Sequence, residues 1–162
     1  MTTDFKPIEV IGGDFSCGMM IVADHAMRHM PDEYGRLGLP DHEFDRHIAY
    51  DIGVEGVVRH LADLTGAPAV MARYSRLLID PNRGEDDPTL VRQIYDGAVI
   101  PGNYTLYADE LHRRIETWFR PFRTAVEETA AAIEGRTGAA AMMLSIHSFT
   151  PRMGNRSRPW HI

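Results

Sequence analysis

Cysteine is almost missing from this sequence. Cys17 is the single thiol in 162 residues, so neither an internal disulfide framework nor a cysteine-rich zinc module can be built. Cys17 has no evident activating base nearby, so a structural role is expected rather than a nucleophilic one. Basic residues are outnumbered, 17 Lys+Arg against 23 Asp+Glu, for a net charge of −6. That balance argues against binding a nucleic-acid backbone, which requires a basic face. No apolar run reaches the roughly 18 residues that span a bilayer, and no membrane association is expected. Met1–Lys6 lacks the basic and apolar regions of a signal peptide, so a cytoplasmic location is the expectation. Internal repeats and low-complexity stretches are absent too. What remains, 44% hydrophobic and 25% charged residues, is the composition of an ordinary globular domain.

The apolar segments set the expected order of elements. Met19–Ala23 is a short continuous apolar run that stops at Asp24-His25, which reads as a buried strand delivering polar residues at its C-terminal end. From Asp41, apolar residues recur at Phe44, Ile48, Ile52, Val58 and Leu61. This spacing predicts a helix that ends at the C-cap Gly66. Ala69–Met71 and Leu77–Ile79 read as strand pieces. Residues 80–107 carry repeated turn signals and form a long irregular segment of the kind that tends to be functional. A second helix starts at Asp109 with Leu111, Ile115, Trp118, Phe119, Phe122, Val126 and Ile133 on one face, and Pro121 should kink or break it. The aromatic stripe could anchor a protein partner, but its helical spacing assigns it to the core. Ala139–Ile146 is a final strand ending at His147. Strand, helix, strand, helix, strand predicts an α/β layer fold with a largely parallel sheet. The chain closes on Ser157-Arg-Pro-Trp-His-Ile162 as an apolar segment begins. The expectation is one α/β domain over residues 1–162, incomplete at its C-terminus.

Eight histidines are present. His29, His42, His60 and His112 sit in polar surroundings and read as surface. His25 and His147 each follow an apolar strand directly. In a parallel sheet the C-terminal strand ends form the ligand crevice, so the two can converge there. They could equally be two histidines satisfied by nearby loops. His47 and Asp51, spaced i and i+4 on the expected helix, should share a face. Asp51 would then orient His47 as a metal ligand, unless the two form a buried structural pair. Asp45 is a rival ligand on the same helix. Three N/O ligands with an open position describe a catalytic zinc site. A second cluster, Arg76, Asn82 and Arg83, suits a small acidic substrate, since guanidinium groups grip carboxylates in a fixed fork. Its alternative is a solvated arginine cluster paired with Asp80, Asp86 and Asp87.

Six segments in order resemble the N-formylglutamate amidohydrolase family. They are Ala23-Asp-His-Ala26, His47-Ile-Ala-Tyr-Asp-Ile-Gly53, Tyr74-Ser-Arg-Leu-Leu-Ile-Asp-Pro-Asn-Arg83, Asp96-Gly97 with Ile100-Pro-Gly-Asn103, Ser145-Ile-His-Ser-Phe-Thr-Pro151 and Arg158-Pro-Trp-His-Ile162. The resemblance implies a three-layer α/β hydrolase fold like the zinc carboxypeptidases and aspartoacylases. It also implies a zinc-dependent (or other divalent-metal) amidohydrolase of amino-acid metabolism. Such an enzyme would remove an N-formyl or similar acyl group from an acidic amino acid such as N-formylglutamate. By the same resemblance His25 and His147 are metal ligands, with His47 the third candidate, and Arg76 is the catalytic residue that polarises the scissile carbonyl. Asn82 and Arg83, with Ser148, bind the substrate. The wider group's His-x-x-Glu is missing, because Ala26, Met27 and Arg28 follow His25. A carboxylate ligand must come from elsewhere, or His47 replaces it. The group's general-base glutamate has no counterpart here. The competing expectation is a binding module that holds a small carboxylate in the same crevice without chemistry.

Overall fold

In the computed structural model, which describes residues 5–153 and 156–159, the apolar run after Gly18 forms a strand at the interior of the sheet. Strands β1 (Ile8–Ile11), β2 (Met19–Ala23), β3 (Ala69–Ala72) and β6 (Met142–Ser145) form one sheet in the order β1-β3-β2-β6. β2 runs parallel to both β3 and β6, and β1 closes one edge antiparallel to β3. The sheet is therefore mixed, with a parallel centre. A two-stranded ribbon of β4 (Ile94–Tyr95) and β5 (Ala98–Val99) lies apart from it.

Alternation along the central strands sorts the core into two layers. Met20, Val22, Val70 and Ala72 face Trp118, Phe119, Phe122 and Ile133. Ile21, Ala23, Ala69 and Met71 face Val54, Val58 and Ala62 of helix α1 (Val54–Thr65). Helix α3 (Arg120–Thr137), preceded by the short helix α2 (Ala108–Arg114), covers the first face. Helix, sheet and helix make the three layers expected. Trp118, Phe119 and Phe122 are buried, so they are core and not a partner anchor. Among the described residues no helix is long and apolar enough to cross a membrane.

Three local expectations are corrected. The helix expected from Asp41 begins only at Val54. Asp41–Asp45 is a single 3-10 turn, and Gly53 at φ +84° sits just before α1. His47 and Asp51 thus lie in the loop ahead of the helix, and the i, i+4 argument for them fails. Leu77–Ile79 is a fully buried turn, not a strand. Its carbonyls are satisfied by side chains: Asn103 Nδ2 donates to Leu77 O at 2.9 Å and Arg114 Nη1 to Leu78 O at 2.9 Å. Pro121 does not break its helix. A π-helical turn, Ile115–Phe119, joins α2 to α3 just before it, and such bulges absorb the missing hydrogen bond. The long segment after Asp80 runs through turns and the β4–β5 ribbon. Its Asp96-Gly97 corner has positive φ at both residues, +43° and +82°, as a tight hairpin requires.

Candidate metal centre and active site

The carboxyl ends of β2 and β6 lie side by side, and both expected histidines emerge there. The β2 chain leaves the sheet in a turn at Asp24-His25, so these consecutive residues converge instead of pointing to opposite faces. His25 is 1% exposed and its ring stands 5.5 Å from that of His147, edge to face. One ligand atom each from Asp24, His25 and His147 lie within 4.8 Å of one another. His25 Nδ1 is 3.6 Å from Asp24 Oδ1, and His147 Nε2 is 3.5 Å from the same oxygen. Asp24 Oδ1 and His25 Nδ1 are both buried and neither has a hydrogen-bond partner. Ser145 Oγ lies 3.2 Å from His147 Nε2.

The other nitrogen of each ring is held by a carboxylate. His25 Nε2 meets Asp80 Oδ1 at 2.7 Å, and His147 Nδ1 meets Asp51 Oδ2 at 2.9 Å. Such a partner fixes the tautomer and aims the free nitrogen. Asp51 is placed by its backbone N–H, which donates to His25 O at 2.9 Å. Asp80 closes the buried turn after Ile79 and accepts from the backbone N–H of Asn82 at 3.0 Å. Arg76 lies between the two acids. Its Nη1 is 3.3 Å from Asp51 Oδ1 and its Nη2 3.1 Å from Asp80 Oδ2.

These contacts shift the titrations. Burial opposes ionisation of Asp51, but its hydrogen bond to His147, the nearby His25 ring (Nδ1 3.7 Å from Asp51 Oδ2) and the charge of Arg76 hold its carboxyl far below the usual range. Asp80 is likewise penalised by burial, yet His25 and Arg76 bring it down to about 2. Burial works against a charge on His25, and its acidic neighbours Asp51, Asp80 and Asp24 still raise its pKa. His147 is raised chiefly by its bond to Asp51. Three carboxylates thus surround two histidines, with the guanidiniums of Arg76 and Arg83 beside Asp51 and Asp80. Two carboxylate–histidine pairs aiming nitrogens at an unpartnered carboxylate oxygen are a donor set suited to a divalent cation.

A cleft of about 240 Å³ is lined among others by His25, His47, Asp51, Arg76, Asn82, His147 and Ser148, while Asp24 lines a neighbouring cleft of about 370 Å³ that shares Asn82 with it. The expected site residues therefore share one cleft, with two distinctions. His47 stands apart from the converging three. Its Nε2 is 3.3 Å from Asp96 Oδ2 at the hairpin corner, and burial lowers its pKa. Asp51 orients His147 and not His47. Arg83 stands at the margin, with Nε 3.7 Å from Asp80 Oδ2 and a side chain 35% exposed. Arg158 also lines the cleft, while Trp160-His161-Ile162 of the last matching segment lie outside the described residues. Asp24 and Asp80 are the functional candidates that sequence reasoning passed over. A larger open basin of about 810 Å³, around Met27, Arg36 and Tyr50, is lined by none of these metal-ligand candidates.

The fold has solved counterparts. A crystal structure of a gene product from Agrobacterium tumefaciens superposes with a TM-score of 0.86 at 31% identity, covering 95% of this chain and 61% of that one. The crystal structure of N-formylglutamate amidohydrolase from Ralstonia eutropha JMP134 superposes with a TM-score of 0.72 at 22% identity, covering 88% and 57%. The chain thus spans about three fifths of the length of these proteins. No curated protein sequence matches it significantly. Residues 17–161 match the family model of N-formylglutamate amidohydrolase, and the chain belongs to the N-formylglutamate amidohydrolase family.

Proposed function

We propose that this cleft is the site of a metal-dependent amidohydrolase that removes an N-formyl or similar acyl group from an acidic amino acid such as N-formylglutamate. The reading is carried by one observation. Two buried ligand atoms without partners, Asp24 Oδ1 and His25 Nδ1, converge with His147 Nε2. Family membership supports the reaction class.

Asp24, His25 and His147 would hold the ion, with Asp80 and Asp51 fixing the two rings. Asp24 supplies the carboxylate that the missing His-x-x-Glu leaves open. A divalent cation there would polarise the acyl oxygen and lower the pKa of bound water toward about 7. Asn82 and Arg83 follow the buried turn at the cleft edge and would receive the substrate carboxylate, a charge-assisted pairing. Ser148 adds a hydroxyl to the lining. Arg76 supplies positive charge beside the reacting centre, where developing negative charge is stabilised. His47, beside Asp96, also lines the cleft and would contact the substrate.

The test is turnover of N-formylglutamate after loading the purified chain with Zn²⁺. Formate release that a chelator abolishes and His147→Ala eliminates is the expected result. Binding of N-formylglutamate with no metal and no turnover would replace this reading with a carboxylate-binding module.

A further inference from the structure

One continuous chain of contacts joins the two histidines from behind. It runs His147 Nδ1 to Asp51 Oδ2 at 2.9 Å, Asp51 Oδ1 to Arg76 Nη1 at 3.3 Å, Arg76 Nη2 to Asp80 Oδ2 at 3.1 Å, and Asp80 Oδ1 to His25 Nε2 at 2.7 Å. Each carboxylate gives one oxygen to a histidine and the other to Arg76. We propose that Arg76 is a positioning residue of the metal site, a single guanidinium strut that locks the two ring-holding carboxylates in register. This rests on the metal-site reading above and assigns Arg76 a task distinct from contacting substrate.

The surroundings support a fixed strut. The Arg76 side chain is 10% exposed, against 6% for Asp51 and 1% for Asp80. Its backbone N–H donates to Ala49 O at 3.2 Å, two residues before Asp51, and the neighbouring Ser75 Oγ donates to the same carbonyl at 2.8 Å. The Tyr95 ring lies 5.3 Å from the guanidinium carbon. Both terminal nitrogens are thus engaged by acids that themselves hold rings. The planar fork matters, because two separate oxygens on two residues are bridged at once. A lysine ammonium carries the same charge as a point and lacks that fork.

The charge of Arg76 complicates a simple deletion. Removing a cation beside a cation site strengthens metal binding, while loosening the rings weakens it. Arg76→Lys separates the two effects because charge is kept and the fork is lost. Removing an outer-shell partner costs on the order of 10–100-fold in metal affinity.

The experiment measures Zn²⁺ affinity by chelator competition and the visible spectrum of the Co²⁺-loaded chain, with circular dichroism reporting the fold. Arg76→Lys should weaken Zn²⁺ binding by at least about tenfold and alter the Co²⁺ bands. In an Asp80→Asn background the same change should add little, since the strut is already cut. Should the lysine variant fail to fold, Arg76→Gln, planar but single-ended, should still alter the Co²⁺ bands. Affinity within about twofold of the unmodified chain with an unchanged Co²⁺ spectrum would overturn the strut and leave Arg76 a substrate contact only. An unmodified chain that binds no stoichiometric metal would instead overturn the metal-site reading, and the strut with it.

Discussion

Replacing Asp80 with Asn should change the acid stability of the metal-free chain in a way set by one titration. Asp80 has its pKa brought to about 2 from an ordinary 3.8. The folded value is the lower one, so the stabilisation is present above the unfolded pKa and is lost as pH falls through the folded pKa. At 1.36 kcal/mol per unit the shift is worth about 2.5 kcal/mol near pH 5.5 and under about 0.5 kcal/mol at pH 2. Asp80 is buried to 0% exposure, so solvent screening takes little from this figure. At pH 5.5 and below, His25 and His147 are protonated both folded and unfolded and add no slope of their own. Urea unfolding of chelator-treated protein at the two pH values is the assay. The unmodified chain should exceed Asp80→Asn by about 2.5 kcal/mol or more at pH 5.5, since His25 and Arg76 also lose their partner. That margin should shrink by about 2 kcal/mol on going to pH 2. A margin equal at both pH values would refute the reasoning, because the loss would then be packing and not charge.

Other outcomes follow from the same contacts. Arg83→Ala should raise KM for N-formylglutamate by about 10–150-fold with kcat nearly kept, the value of one charge-assisted hydrogen bond; steady-state kinetics decide this, and an unchanged KM removes the carboxylate clamp. Zn²⁺ affinity should climb as pH rises through and above about 6.5, since both histidine pKa values are raised and each ring must lose a proton to ligate; calorimetric titration across pH 6–8 reads this directly. Asn103→Ala should cost about 3 kcal/mol by urea unfolding, because Asn103 donates to Leu77 O and Arg92 O and accepts from Arg114, and each orphaned buried group costs about 1–3 kcal/mol.

The sheet and its crevice were legible because apolar runs ending abruptly in polar residues mark buried strands. Met19–Ala23 before Asp24-His25 and the run before His147 gave both histidines and their meeting place. The loop carrying His47 and Asp51 was misread as helix. Its apolar residues repeat at helical spacing, yet Gly53 at φ +84° marks where the loop ends and the helix starts. With the helix went the wrong pairing: Asp51 reaches 96 residues along the chain to His147, a contact no local pattern encodes. Asp24 was overlooked because extended neighbours point apart, whereas here the strand has already turned. Asp80 read as a counter-ion for surface arginines. It is buried because the apolar Leu77–Ile79 segment folds into the core as a turn, stabilised by Asn103 and Arg114 from distant segments.

The central claim is that Asp24, His25 and His147 together hold one divalent ion. Elemental analysis of purified chain dialysed against Zn²⁺ tests it most directly, in parallel with Asp24→Ala, His25→Ala and His47→Ala. The account predicts about one equivalent of zinc in the unmodified chain, lost in Asp24→Ala and His25→Ala and retained in His47→Ala. Zinc that survives Asp24→Ala but leaves with His47→Ala, or an unmodified chain without stoichiometric metal, would contradict it.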